Sequence, residues 1–159
     1  MPTVLVTGAA RGLGLEFVRQ YAADGWRVLA CARDPDTAAE LNRTAAAARG
    51  HVTVHRLDVT DPASVAALAG ALHGAPIDVL LNNAGTMGAQ SFATHGLAAQ
   101  RFGRSDYADW EQVFRVNVLG PMRVAEALVD NVAAGERKVI ATLTSIVGSM
   151  TGNRSGGMY

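Results

Sequence analysis

The stretch TVLVTGAARGLG, Thr3 to Gly14, decides how the rest of the chain is read. Its first half is a continuous apolar run, the pattern of a strand buried on both faces of a parallel sheet. The run stops at Gly8, and from Leu13 onward Leu13, Phe17, Val18 and Tyr21 recur at helical intervals until Gly25 closes the segment. A strand that turns straight into a helix leaves the N–H groups of the first helical turn open at the sheet edge, where they and the helix dipole attract a phosphate. The glycines suit that arrangement. Gly8 permits a tight turn, Gly12 lets backbone approach a pyrophosphate, and Gly14 lets the helix pack closely on the sheet. Taken alone, the spacing also fits a glycine-rich turn with no ligand.

Outward from this turn, short β-type runs alternate with helical patterns. RVLACA (Arg27 to Ala32) reads as a second strand, and Asp34 before Pro35 reads as an N-cap opening an Ala-rich helix that stops near Gly50. VTVHRL (Val52 to Leu57) is a third strand, and Asp61 with Pro62 repeats the cap signal ahead of ASVAALAGAL. DVLLNNAG (Asp78 to Gly85) is a fourth. Thr86 to Ser105 lacks periodicity and is expected to be a mobile loop. The pattern then predicts a long helix from Asp106 to Ala133, with Trp110, Val113, Phe114, Val118, Met122 and Ala125 on its buried face. KVIATLTS (Lys138 to Ser145) is the fifth strand. Such alternation requires crossover helices, hence an α/β fold: one domain over residues 1–159 with a doubly wound parallel sheet and helices on both faces; the glycine turn, read as a dinucleotide site, adds the expectation of strand order 3-2-1-4-5.

The 14 acidic and 14 basic residues balance and no Lys/Arg run stands out, which gives no track for nucleic acid or an anionic membrane. The lone Cys31 lies in an apolar run and reads as a buried free thiol of a reducing compartment. No leader pattern or membrane-length apolar stretch is present, so a cytoplasmic protein is expected. His51, His55, His73 and His95 have no metal-ligand spacing and read as structural or surface residues, and there is no G-x-S-x-G hydrolase motif.

Five motifs together, in order and at matching separations, carry a resemblance: T-G-x-x-x-G-x-G at Thr7 to Gly14, LDV at Leu57 to Val59, NNAG at Asn82 to Gly85, Asn117 in VNVLGP, and Ser145 closing the fifth strand. The chain resembles the short-chain dehydrogenase/reductase family along its whole length. TGAARGLGLEFVRQ, CARDP and SGGMY narrow this to the C-factor-like, NADP-dependent carbonyl reductases. The resemblance implies cofactor contacts from Gly8, Arg11, Gly12, Leu13, Gly14, Arg33, Asp58, Val59, Asn83, Ala84 and Gly85. It implies a small carbonyl or alcohol substrate and a homo-oligomer, dimer or tetramer, often built on the long helix. Where the second strand ends, an acidic residue favours NAD and an arginine accommodates the 2′-phosphate of NADP. Here Arg33 stands there, Arg11 lies on the glycine turn, and both remain open to a reading as solvated surface arginines. Asp34 argues for NAD unless, placed before Pro35, it caps a helix. Asp58 is either an adenine contact or a loop carboxylate bonded to nearby N–H groups.

In the family, a tyrosine donates a proton to the carbonyl oxygen, a lysine four residues later lowers its pKa, a serine positions the carbonyl and an asparagine links a water to the lysine. Ser145, with Gly148 three residues on, matches the serine. Asn117 matches the asparagine. Pro121, four residues further, has no N–H for the Asn117 carbonyl, which leaves that carbonyl for a water or for bulk solvent. Tyr159 lies near the tyrosine position. The narrower group places a second tyrosine shortly after G-G-x-Y, so either Tyr159 or a following tyrosine is the proton donor. No lysine follows Tyr159 in these 159 residues, so the chain as it stands is expected to bind NADPH with little or no turnover. Met87, Phe92, Met150 and Met158 hint at an apolar substrate pocket. A dinucleotide-binding signalling or regulatory protein is the alternative, and an ordered part of a longer chain is a third reading.

Overall fold

The computed structural model describes residues 1–89, 103–145, 148–149 and 151–152. In chain order the elements are β1 (Thr3–Val6), α1 (Gly12–Ala23), β2 (Arg27–Ala32), a 3-10 turn (Pro35–Thr37), α2 (Ala39–Ala47), β3 (Val52–Arg56) and α3 (Pro62–Ala71). There follow β4 (Val79–Asn82), α4 (Tyr107–Phe114), a π-helical turn (Arg115–Leu119), α5 (Gly120–Ala133) and β5 (Val139–Thr142). The strands pair in parallel in the expected order β3-β2-β1-β4-β5. The order reverses between β1 and β4, so a crevice opens at their carboxyl ends, the usual ligand position in such sheets.

Strand periodicity divides the core into two layers. Val4, Val6, Val28, Ala30, Val79 and Leu81 face α1 and α2, where Leu15, Val18 and Leu41 are buried. Leu5, Leu29 and Leu80 face the opposite side, packed with Val65 and Leu68 of α3 and Val124, Leu128 and Val132 of α5. Burying one such side chain contributes about 1.5–3 kcal/mol, so losing either helical layer would exceed the ~5–15 kcal/mol net stability of an ordinary domain. Cys31 is fully buried as a free thiol, and desolvation pushes its pKa up to about 12, which keeps it inert.

Several local expectations are corrected. Asp34 does not cap a helix: its side chain makes no cap hydrogen bond, Pro35–Thr37 forms only a 3-10 turn, and α2 starts at Ala39. Asp61, by contrast, accepts from the Ala63 N–H and caps α3. Leu13 is 68% exposed, and Leu15 takes its place in the core. The long helix spans the expected residues, but its expected buried face points outward. Trp110, Phe114, Val118 and Met122 are exposed, Val113 and Ala125 are half-buried, and Val124, Leu128 and Val132 face the sheet. The physical reason is that the helix carries two apolar stripes at i+4 spacing: Val124, Leu128 and Val132 meet Leu5, Leu29 and Leu80 of the sheet, which leaves Trp110, Phe114, Val118 and Met122 facing outward. The part of the expected mobile loop at 86–89 is tied down, as described below; residues 90–102, including Phe92 and His95, lie outside the described residues. Among the described residues, no helix is long and apolar enough to cross a membrane.

Candidate nucleotide-binding and active site

The site begins with Thr7, the last residue before the glycine turn, whose hydroxyl is buried at the end of β1. Its Oγ1 accepts hydrogen bonds from the backbone N–H groups of Asn83 (3.0 Å) and Ala84 (2.9 Å), just beyond β4. Asn83 returns the connection, its Nδ2 donating to the carbonyls of Thr7 (2.8 Å) and Gly8 (3.2 Å). The glycine turn and the NNAG segment are therefore one cross-braced unit. The glycines divide the work within it. A Cβ on Gly8 (φ +67°) would come within 2.8 Å of Ala84 Cα, and one on Gly14 would collide with the Gly8 carbonyl and Asn83 Nδ2. A Cβ on Gly12 (φ +57°) would meet nothing, so the outer side of the turn is open. No side chain caps the N-terminus of α1 and no acidic residue lies in its first turn. Its free N–H groups thus face an open space fitted to an anion. Arg11 and Leu13, both exposed, flank that space in sequence.

The Ala9 N–H donates to the Cys31 carbonyl (2.8 Å), which sets the turn beside the end of β2. Arg33 is exposed immediately beyond that end. Asp58 follows β3, and its Oδ1 accepts from the Thr60 N–H (2.8 Å) and Thr60 hydroxyl (2.7 Å). Burial would raise the Asp58 pKa, but the two Thr60 hydrogen bonds and the nearby Arg33 charge outweigh it and hold the carboxyl below its usual range. Asp58 Oδ1 thus bonds to nearby donors of its own loop. The Val59 side chain is buried against α5, where a Cβ on Gly120 would come within 2.8 Å of it. Arg123 of α5, unnoticed in the sequence, donates to the carbonyls of Val59 (3.0 Å) and Thr60 (3.3 Å) and fixes this loop.

Asn117 sits inside the π turn, where the Gly120 N–H reaches back to the Arg115 carbonyl. Its side chain does something the sequence reading did not assign. Oδ1 accepts from the Thr86 N–H and Nδ2 donates to the Thr86 carbonyl, both at 2.8 Å. Asp109 makes a second tether, accepting from the Ala89 N–H (2.8 Å) beside Gly88 (φ +87°), where a Cβ would collide with the carboxylate. Ser145 is exposed three residues past β5, and its carbonyl accepts from the Gly148 N–H (3.1 Å). Ser145 and the loop tied by Asn117 follow neighbouring strands, β5 and β4, at the same edge of the sheet. Met87 is half exposed on that loop. Tyr159, Met150 and Met158 lie outside the described residues. Among the described residues, no cluster of His, Cys, Asp or Glu is arranged to hold a metal.

A doubly wound parallel sheet with a braced glycine turn at its switch point is a Rossmann-type fold. The model of the short chain dehydrogenase family matches residues 2–159, and the chain belongs to that family. It is 30% identical over 160 residues to (+)-neomenthol dehydrogenase of Arabidopsis thaliana, covering 92% of this chain and 54% of that protein. It is 38% identical over 84 residues to C-signal of Myxococcus xanthus, covering 53% of this chain and 45% of that protein. A solved carbonyl reductase from Pseudomonas aeruginosa PAO1, in complex with NADP, superimposes with a TM-score of 0.84 at 28% identity, covering 99% of this chain and 67% of that one. The chain spans about half the length of the curated relatives it matches.

Proposed function

We propose that these 159 residues are the nucleotide-binding part of an NADP-dependent short-chain reductase that interconverts a small carbonyl compound and its alcohol. The observation that carries this is the cross-braced glycine turn, open at Gly12 and followed at the end of β2 by Arg33. The open turn and uncapped α1 N-terminus fit a pyrophosphate held by backbone N–H groups. Arg33, with Arg11 on the turn, fits the 2′-phosphate through charge-assisted hydrogen bonds, each worth about 1.5–3 kcal/mol. Leu13, Asp58, Val59 and the NNAG residues Asn83, Ala84 and Gly85 border the remainder of the dinucleotide. When bound, the reduced nicotinamide supplies the hydride.

The chain's own residues orient the reactants. Ser145 holds the carbonyl oxygen by its hydroxyl, and Asn117 fixes the floor of the site through its paired bonds to Thr86. Protonation of the alkoxide falls to Tyr159 or to a tyrosine after it; a phenol with an ordinary pKa near 10 needs a neighbouring cation to work at neutral pH. The outward apolar stripe of Trp110, Phe114, Val118 and Met122 supports assembly of a homo-oligomer along the long helix. A cytoplasmic setting accords with the lone buried thiol.

A fluorescence titration tests the cofactor assignment. NADPH binds at least tenfold more tightly than NADH, and Arg33→Ala removes most of that difference; equal affinity of the unaltered chain for the two cofactors overturns it. The similarity to C-signal favours a second reading, a dinucleotide-binding signalling protein. Ser145→Ala separates the two: an unchanged biological effect with intact NADPH binding supports signalling, and loss of the effect supports the reductase.

A further inference from the structure

β2 and β3 remain in register to their last residues, pairing Ala32 with Arg56, so the Arg56 side chain stands beside the segment that leaves β2. Its Nη1 donates to the Arg33 carbonyl at 3.1 Å, and its Nη2 lies 3.4 Å from Asp36 Oδ2 and 3.7 Å from Asp34 Oδ1. One guanidinium thus spans Arg33 to Asp36. Asp34, freed from the capping role its place before Pro35 implied, is a carboxylate directly next to Arg33. A carboxylate there ordinarily favours NAD, because it accepts from the ribose hydroxyls and repels a 2′-phosphate. These ion pairs are more than half exposed and add little to folding. Their effect on a nearby dianion is another matter. With Arg33 and Arg56 positive and Asp34 and Asp36 negative, the segment is balanced; without Arg56, it presents a net negative charge to the phosphate.

We propose that Arg56 is a specificity-determining residue: by holding Asp34 and Asp36 it suppresses their repulsion of a 2′-phosphate and keeps them from claiming the Arg33 guanidinium. The inference rests on the NADP reading above and deepens it. Arg56 acts through the two carboxylates and need not touch the cofactor.

Four forms of the chain are titrated with NADPH and with NADH: unaltered, Arg56→Met, Asp34→Asn/Asp36→Asn, and the triple variant. For charges several ångströms apart across screened solvent, Arg56→Met weakens NADPH roughly three- to tenfold and changes NADH less than about twofold. Neutralising both aspartates in that background restores NADPH to within about twofold of the unaltered chain. An unchanged NADPH/NADH ratio in Arg56→Met overturns the proposal. So does a loss that the triple variant fails to recover, since Arg56 would then bind the phosphate itself. If the unaltered chain does not prefer NADPH, the NADP reading fails, and this one with it.

Discussion

Thr7→Val is the sharpest test of the brace between the glycine turn and the NNAG segment. Valine nearly matches threonine in shape, so the change removes an oxygen from a site that is 1% exposed and leaves packing almost intact. The hydroxyl accepts from two backbone N–H groups, at 3.0 and 2.9 Å, while its own contact to the Leu81 carbonyl is long at 3.5 Å. Losing the acceptor therefore strands two donors, and little is forfeited on the donating side. An orphaned buried amide costs about 1–3 kcal/mol. Asn83 and Ala84 are half-buried, so some water reaches them and the lower part of that range applies. The total is about 2–4 kcal/mol, or a fall in Tm of roughly 5–15 °C for a domain of this size. Thr7→Ser keeps the oxygen and deletes a methyl group, which costs about 1 kcal/mol. Urea melts of the three proteins give the comparison directly. If Thr7→Val melts within 0.5 kcal/mol (an approximate experimental margin) of the parent, or if Thr7→Ser is equally damaging, the hydroxyl is not the brace.

Two further perturbations probe other tethers. Asp78 is buried at the amino edge of the sheet, where Oδ2 accepts from the Thr3 N–H (2.7 Å) and Oδ1 from those of Glu136 (2.9 Å) and Arg137 (3.2 Å). The Thr3 bond leads these contacts in holding its pKa below the usual carboxylate value, against the opposing effect of burial. A depressed folded pKa stabilises the fold above the unfolded value near 3.9, and that stability disappears as pH falls through the folded value. Asp78→Asn should therefore cost about 2 kcal/mol at pH 7 and progressively less below about pH 4; a pH-independent gap between the two denaturation curves contradicts this. Asp109→Ala removes the acceptor for the Ala89 N–H. Hydrogen exchange at that amide should quicken about three- to tenfold while global stability shifts by less than about 1 kcal/mol, and unchanged exchange would show the tether to be idle.

Much of this arrangement is legible in the sequence because it depends on local rules. Alternation of buried runs with helical spacing specifies a parallel doubly wound sheet, and the order β3-β2-β1-β4-β5 agrees. Glycine identity foretells the turn, since Gly8 and Gly12 adopt positive φ and Gly8 and Gly14 leave no room for a Cβ. Asn117, Ser145 and Arg33, which the family motifs single out, stand where the strands' carboxyl ends lie: Arg33 follows β2, Ser145 follows β5, and Asn117 bonds Thr86 beyond β4.

What the sequence could not determine depends on residues far apart along the chain. Thr7 meets Asn83 and Ala84 across more than seventy residues, and its threonine carries no local signal of that role. Asp34 followed by Pro35 has the local pattern of a cap, yet strand register brings Arg56 to its carboxylate and α2 starts later. The outward face of the long helix follows from which of its two apolar stripes meets the sheet: Val124, Leu128 and Val132 do, and helical periodicity alone does not choose between them and Trp110, Phe114, Val118 and Met122. Sequence determined which groups the edge of the sheet would carry, because backbone propensity and apolar spacing act over a few residues. Tertiary structure alone decided which of them hold one another, because hydrogen bonds and charges act through space and not along the chain.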